Sequence, residues 1–145
     1  MKINELIDNL DWSKPEYVQQ KAINNLSEIE VSMLPLCFLE LPKSTWSNFI
    51  KIIKKIVFPK AQIFIPELLK LLQDINWPGA YEAIEIISLY ELKATIPLVE
   101  NAVSEAYEKE DFMWLGGLKL LIENEKIDSS ALSLKTKELL IYADF

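Results

Sequence analysis

The sequence predicts an all-α fold, a right-handed α-α superhelix of about four helix pairs, on three observations. Half of the 145 residues are apolar and only three are glycine, a composition of packed helices rather than of loops or disorder. Pro35, Pro66 and Pro97 follow one another at steps of 31 residues. Trp46 and Trp77 keep the same step. A fixed period of this length marks stacked repeats, and a chain this long suits one core, so a single domain over residues 1–145 is expected.

The elements follow in order. Asp11-Trp12 and Pro15 precede Tyr17, Val18, Ala22, Ile23 and Leu26, a degenerate first repeat. Proline is tolerated in a first helical turn, where its missing N–H would be unsatisfied anyway. Pro35, Pro66 and Pro97 are therefore each expected to open the first helix of a pair. Cys37, between Leu36 and Phe38, is expected on an apolar helix with its thiol buried. The following second helix turns Trp46, Phe49, Ile50, Ile53, Ile56 and Val57 inward and Lys51, Lys54 and Lys55 outward.

In the middle repeat, Leu68, Leu71, Leu72 and Ile75 share a helical stripe. That helix should end near Asn76-Trp77, because the residue before Pro78 is driven out of the helical region. A second helix from Gly79 to Ser88 then buries Ala80, Ala83, Ile84 and Ile87, with Glu82 and Glu85 off the stripe. Trp114 follows Pro97 by 17 residues, against 11 in the two earlier repeats, as though six residues had been added. Leu115, Leu118, Leu121 and Ile122 take the inward role there. Gly116 and Gly117 each lower helix stability by about 1 kcal/mol relative to alanine, and close packing against the Pro97 helix is expected to compensate. Asp128 is placed to cap a last helix carrying Leu132, Leu139 and Leu140. About eight or nine helices result.

Absent residue types exclude several chemistries. There is no histidine, and all 15 basic residues are lysine, which removes Ser-His-Asp and Cys-His nucleophile pairs and histidine-containing zinc sites. A lone cysteine closes no intramolecular disulfide and fits a reducing, cytoplasmic setting. Glu5, Asp8 and Asp11 stand where an export signal would be basic and then apolar, so none is expected, and no apolar run is long enough to cross a bilayer. Residues 1–42 carry three lysines against seven acids, residues 43–70 six against one, and residues 71–145 six against fourteen. A net charge of −7 without arginine argues against nucleic acid as partner. No metal, cofactor or catalytic residue is expected.

The middle segment, Leu68 through Trp77-Pro78-Gly79-Ala80 to Ile84, resembles a HEAT-type repeat, in which a Leu-rich helix ends at an Asp-containing turn before an Ala-rich helix. More narrowly, Leu71-Leu72-Gln73-Asp74-Ile75-Asn76-Trp77-Pro78-Gly79-Ala80 resembles a signature of small uncharacterised bacterial helical proteins, a domain of unknown function, some of which lie beside toxin and immunity genes. What the HEAT resemblance implies is a surface of second helices presented to a partner. The candidate binding residues on it are Lys51, Lys54, Lys55, Tyr81, Glu82 and Glu85, a mixed-charge stripe suited to another protein. Trp12, Trp46, Trp77 and Trp114, with the three prolines, are read as structural plugs of the repeat seams, each indole N–H meeting a turn carbonyl. Glu105, Glu108, Glu110 and Asp111 read as a solvated acidic surface.

The expected function is therefore a non-catalytic protein-binding module of immunity or adaptor type. Two alternatives stand beside it: a HEAT-like scaffold acting on nucleic acid in the manner of glycosylases, which would need a basic cleft, and a homo-oligomeric structural protein in which basic middle and acidic ends complement each other between copies.

Overall fold

Residues 2–56 and 60–144 are described by the computed structural model, and among them it contains eight α-helices, seven short 3-10 turns and no strand. No helix among them is long and apolar enough to cross a membrane. The chain has two compact units, Met1–Glu67 and Leu68–Phe145.

In the first unit, Pro15 is the N-cap of α2 (Glu16–Glu28), which packs against α1 (Ile3–Asp8) and α3 (Trp46–Lys55). Ala22, Ile23 and Leu26 bury the inner stripe of α2, while Tyr17 is exposed. On α3 the inward set Trp46, Phe49, Ile50, Ile53 is buried, with Ile56 just beyond the helix, and Lys51, Lys54 and Lys55 are exposed. Val57 lies outside the described residues. Phe49 stacks on Phe38 with ring centroids 4.8 Å apart and meets Phe64 edge-on at 5.8 Å. Pairs of this kind add about 0.5–1.5 kcal/mol each beyond area burial. Asn48 is buried but satisfied, donating from Nδ2 to the Leu10 carbonyl at 2.7 Å and to Gln19 Oε1 at 2.8 Å.

Pro35 opens no helix. It sits between the 3-10 turns Val31–Met33 and Phe38–Glu40, and the residue before it, Leu34, is extended at φ −83°, ψ 147°. Leu41, before Pro42, is extended for the same steric reason. Leu34 and Phe38 anchor this stretch in the core. Cys37 is correspondingly exposed rather than buried, and lies on no α-helix.

Pro66 does sit in a first turn, as the second residue of α4 (Ile65–Lys70), within which the boundary between the units falls. The helix ends earlier than Asn76: a 3-10 turn, Leu71–Gln73, tightens it, and Asp74 is extended.

The second unit continues with α5 (Ala80–Ile87), α6 (Leu92–Glu108), α7 (Phe112–Asn124) and α8 (Leu134–Leu139). Gly79 caps α5 at φ 89°, a left-handed conformation that only glycine adopts freely. Ala80, Ala83, Ile84 and Ile87 are buried and Glu82 and Glu85 exposed, as the 3.6-residue period requires. Pro97 lies inside α6, five residues past its first residue, where it deletes one helical hydrogen bond instead of starting the helix. The three prolines thus occupy a connecting segment, a first turn and a helix interior, and mark no common position in a repeat.

Two helix ends use left-handed residues that are not glycine. Glu110 (φ 55°) ends α6 with the Asp111 N–H on the Ala106 carbonyl at 2.8 Å, and Lys126 (φ 54°) ends α7 with Ile127 N–H on the Ile122 carbonyl at 3.1 Å. Asp111 then caps α7 by accepting the Trp114 backbone N–H at 3.0 Å. Asp128 does not cap the last helix: it caps the turn Ser129–Ala131, and Ser133 caps α8. Glu100 of α6 ties α8 down, accepting from Thr136 Oγ1 at 2.7 Å and the Ser133 N–H at 2.8 Å. The Thr136 bond, with the Ser133 bonds, holds the Glu100 carboxyl below the usual carboxylate range.

The tryptophans differ from one another. Trp46 and Trp114 are buried, their indole N–H groups donating to the Leu41 carbonyl at 3.0 Å and the Leu69 carbonyl at 2.9 Å. Trp77 is half-buried in the turn before α5. Trp12 is 59% exposed, and so fills no interior seam.

Gly116 and Gly117 are buried in α7, but their compensation comes from elsewhere than the Pro97 helix. A Cβ on Gly117 would overlap the Leu72 carbonyl oxygen, and one on Gly116 the Asp144 carbonyl oxygen. Gly117→Ala should therefore lower stability by about 1–3 kcal/mol through overpacking, despite its gain in helix propensity. Gly116→Ala should lower stability in the same direction, because the Asp144 carbonyl oxygen stands where its Cβ would be. Urea denaturation of both variants tests this; a Gly117→Ala midpoint at or above that of the parent would contradict the close approach.

Candidate functional site

Because the glycines let backbone come close, the face of α7 that carries them stays open beside it. Met113, Gly116, Gly117 and Leu120 are spaced i, i+3, i+4, i+7 and share that face. The Asp74-Ile75-Asn76 turn, Tyr81 at the start of α5 and Asp144 of the tail complete the walls of a pocket of about 370 Å³, within the size range of small-ligand and side-chain sockets.

Local bonds shape each wall. Asp74 Oδ1 accepts the Asn76 N–H at 2.9 Å, and the Trp77 N–H donates to the Asp74 carbonyl at 2.9 Å, closing the turn that Pro78 and the left-handed Gly79 then lead into α5. The Asp144 N–H donates to the Phe112 carbonyl at 2.9 Å, which lays the tail on the first turn of α7. The pocket surface is mainly apolar, from Ile75, Met113 and Leu120, with Asp74, Asn76 and Asp144 as its polar groups.

Tyr81 and Met113 are 60% and 51% exposed, unusual for residues of their size. Phe112, next to Met113 in the chain, stacks on Tyr142 at 6.1 Å, and Tyr142 meets Tyr107 at 5.3 Å. Phe112, Tyr107 and Tyr142 are themselves exposed by a third or more.

Of the sequence-predicted stripe, Tyr81 lines this pocket and Glu82 and Glu85 are exposed on the same helix. Lys51, Lys54 and Lys55 belong to the first unit. Lys55 donates to Asn24 Oδ1 at 2.6 Å and borders a cavity of about 170 Å³ whose other charged groups are Glu28, Glu30 and Lys60. Another cavity of the first unit, about 180 Å³, lies between Leu6 and the Tyr17-to-Asn25 stretch of α2. In the acidic run, Glu105 pairs with Lys109 at 2.8 Å, Glu108 and Glu110 are exposed, and Asp111 is engaged as a helix cap. Among the described residues no group of three or more potential ligands is placed to hold a metal ion. Sequence reasoning missed Asp74, Ile75, Asn76, Met113, Leu120 and Asp144 as site residues. The available signal was that the first three lie within the Leu71-to-Ala80 signature.

A family model for a domain of unknown function (DUF5071) matches residues 43–141. The chain belongs to this family. The DUF5071 match runs from the turn before α3 through α8 and takes in every pocket residue except Asp144. No curated protein and no solved structure matches the chain.

One carboxyl has the environment of a general acid. Burial pushes Glu125, at the end of α7, above its ordinary value of 4.5, and its Oε1 is buried without a hydrogen-bond partner. It lines none of the three cavities described above. A raised folded-state value means that the unfolded chain releases the proton first, so stability falls as pH rises from about 4.5 and levels once the folded group has ionised. Glu125→Gln should therefore raise the melting temperature at pH 7 and leave it unchanged near pH 4. An equal shift at both pH values would show that charge burial is not the cause.

Proposed function

We propose that this chain is a non-catalytic protein-binding module, of adaptor or immunity type, that anchors its partner in the pocket between the Asp74 turn and α7. The observation that carries this reading is the pair of large, exposed side chains Tyr81 and Met113 in the wall of a mainly apolar pocket; the second unit also exposes the Phe112–Tyr142–Tyr107 rings. Aromatic residues and methionine are the types enriched at protein interfaces, and contiguous apolar surface is rarely left uncovered. Methionine also adapts its shape to an incoming side chain. Glu82 and Glu85, outward on α5, supply a charged rim.

One antiparallel helix pair within the second unit, the α6–α7 hairpin, supports the HEAT-like part of the reading, with α5 packed on the Leu71–Gln73 turn beside it. An exposed, unpaired Cys37 suits a reducing, cytoplasmic setting. Absence of histidine and arginine leaves catalytic and nucleic-acid readings without their usual side chains.

The test is capture by the tagged full chain and by a Tyr81→Asp/Met113→Asp double variant, with circular dichroism and melting used to confirm that both are folded. Both residues are surface-exposed, so the fold should survive. A specific protein retained by the parent and at least tenfold depleted on the variant is the expected result. A partner held equally by both, or none held by the parent across several growth conditions, would refute the proposal.

A further inference from the structure

Taking as its basis the reading of this pocket as a partner's socket, we infer that the group it accepts is an arginine side chain of the partner protein. Charge is the first argument. Residues 68–145 carry seven lysines against fourteen acids, and residues 1–67 eight against eight, so the second unit alone holds the net −7 of the chain. Within that unit, the nine residues lining the pocket include two aspartates, Asp74 and Asp144, and no lysine. An acidic occupant would be repelled. A purely apolar one would strip water from two carboxylates and return nothing, which is unfavourable for ions leaving water.

Shape and polarity fit the same occupant. Ile75, Met113 and Leu120 offer apolar surface for a methylene stem, as long basic side chains require when they bury the stem and keep the head among polar groups. Tyr81, 60% exposed at the pocket wall, supplies an accessible aromatic ring. A planar guanidinium stacks on such a face and bonds to carboxylates through two donors at once, whereas a compact ammonium does neither as well. Asp74 Oδ1 is engaged by the Asn76 N–H, which fixes the carboxylate in the turn and leaves Oδ2 for a donor. About 370 Å³ holds one long side chain with room for part of its neighbour.

The experiment titrates the ¹⁵N-labelled full chain with acetyl-Leu-Arg-Phe-amide, its citrulline and lysine counterparts, acetyl-Leu-Glu-Phe-amide and free agmatine, reading the amides of Gly116 and Gly117. Citrulline keeps the size and planarity of arginine and removes its charge. The arginine peptide should give saturable shifts at both glycines that weaken with salt, the lysine peptide should bind more weakly, and the citrulline and glutamate peptides should give none at the same concentrations. Asp74→Asn, which keeps an acceptor for the Asn76 N–H, and Asp144→Asn should each weaken the arginine peptide several-fold.

Equal binding of the citrulline peptide would overturn the inference while leaving the socket in place. Equal binding of agmatine would make it a site for a small free cation, and would overturn it too. No shift with any probe, alongside Tyr81-dependent capture of a partner, would overturn the arginine assignment and spare the broader reading. Loss of that Tyr81-dependent capture would strike the broader reading itself.

Discussion

The second unit depends on a stretch of helix with no side chains. At Gly116 and Gly117 the surface of α7 is bare backbone, and the carbonyls of Leu72 and Asp144 occupy the positions where Cβ atoms would stand. Two glycines in a helix interior weaken it by about 1 kcal/mol each relative to alanine. Close backbone approach is what offsets that loss, because it seats the turn after α4 on one flank of α7 and the tail on the other. The pocket is a consequence of the same contact. Met113 and Leu120 lie one turn to either side on the face that the glycines leave low, and the Asp74 turn and Asp144 become its walls.

Polar satisfaction governs much of the remaining architecture. Buried donors and acceptors must find partners, and here they do so through a few side chains that join separated segments. Asn48 reaches the Leu10 carbonyl, Trp114 the Leu69 carbonyl, and Glu100 the start of α8. Each fixes the position of a short or irregular piece of chain that has little helix stability of its own. Among the described residues Glu125 departs from this, with an oxygen that is buried and unpartnered.

The pocket is lined mainly by apolar surface and takes in two aspartates, Asp74 and Asp144, while Tyr81 and Met113 in its wall stay more than half exposed. Helices end where they do partly to build it. Had α4 continued to Asn76, Asp74 would be one more outward residue on a helix; because Leu71–Gln73 tightens into a 3-10 turn, it becomes instead the first residue of a wall.

Residue periodicity by itself determined the class of the fold and the buried faces of α3, α5 and α7, because burial on a helix repeats every 3.6 residues and needs no knowledge of what lies opposite. Pro66 falls in a first helical turn as expected, since it acts through its own backbone angle, whereas Gly79, read as the first residue of its helix, is the left-handed cap before it. The equal spacing of Pro35, Pro66 and Pro97 misled because a proline constrains its neighbour as much as itself: Leu34 is held extended, while Pro97 is tolerated within a long helix whose other bonds persist. Left-handed helix ends at Glu110 and Lys126 carry no glycine to announce them. Only tertiary structure decided what covers Gly116 and Gly117, that Trp12 and Cys37 face solvent, and that Asp74 and Asp144, 70 positions apart in the chain, share one pocket. Those are contacts between segments distant in sequence, and no local pattern encodes them.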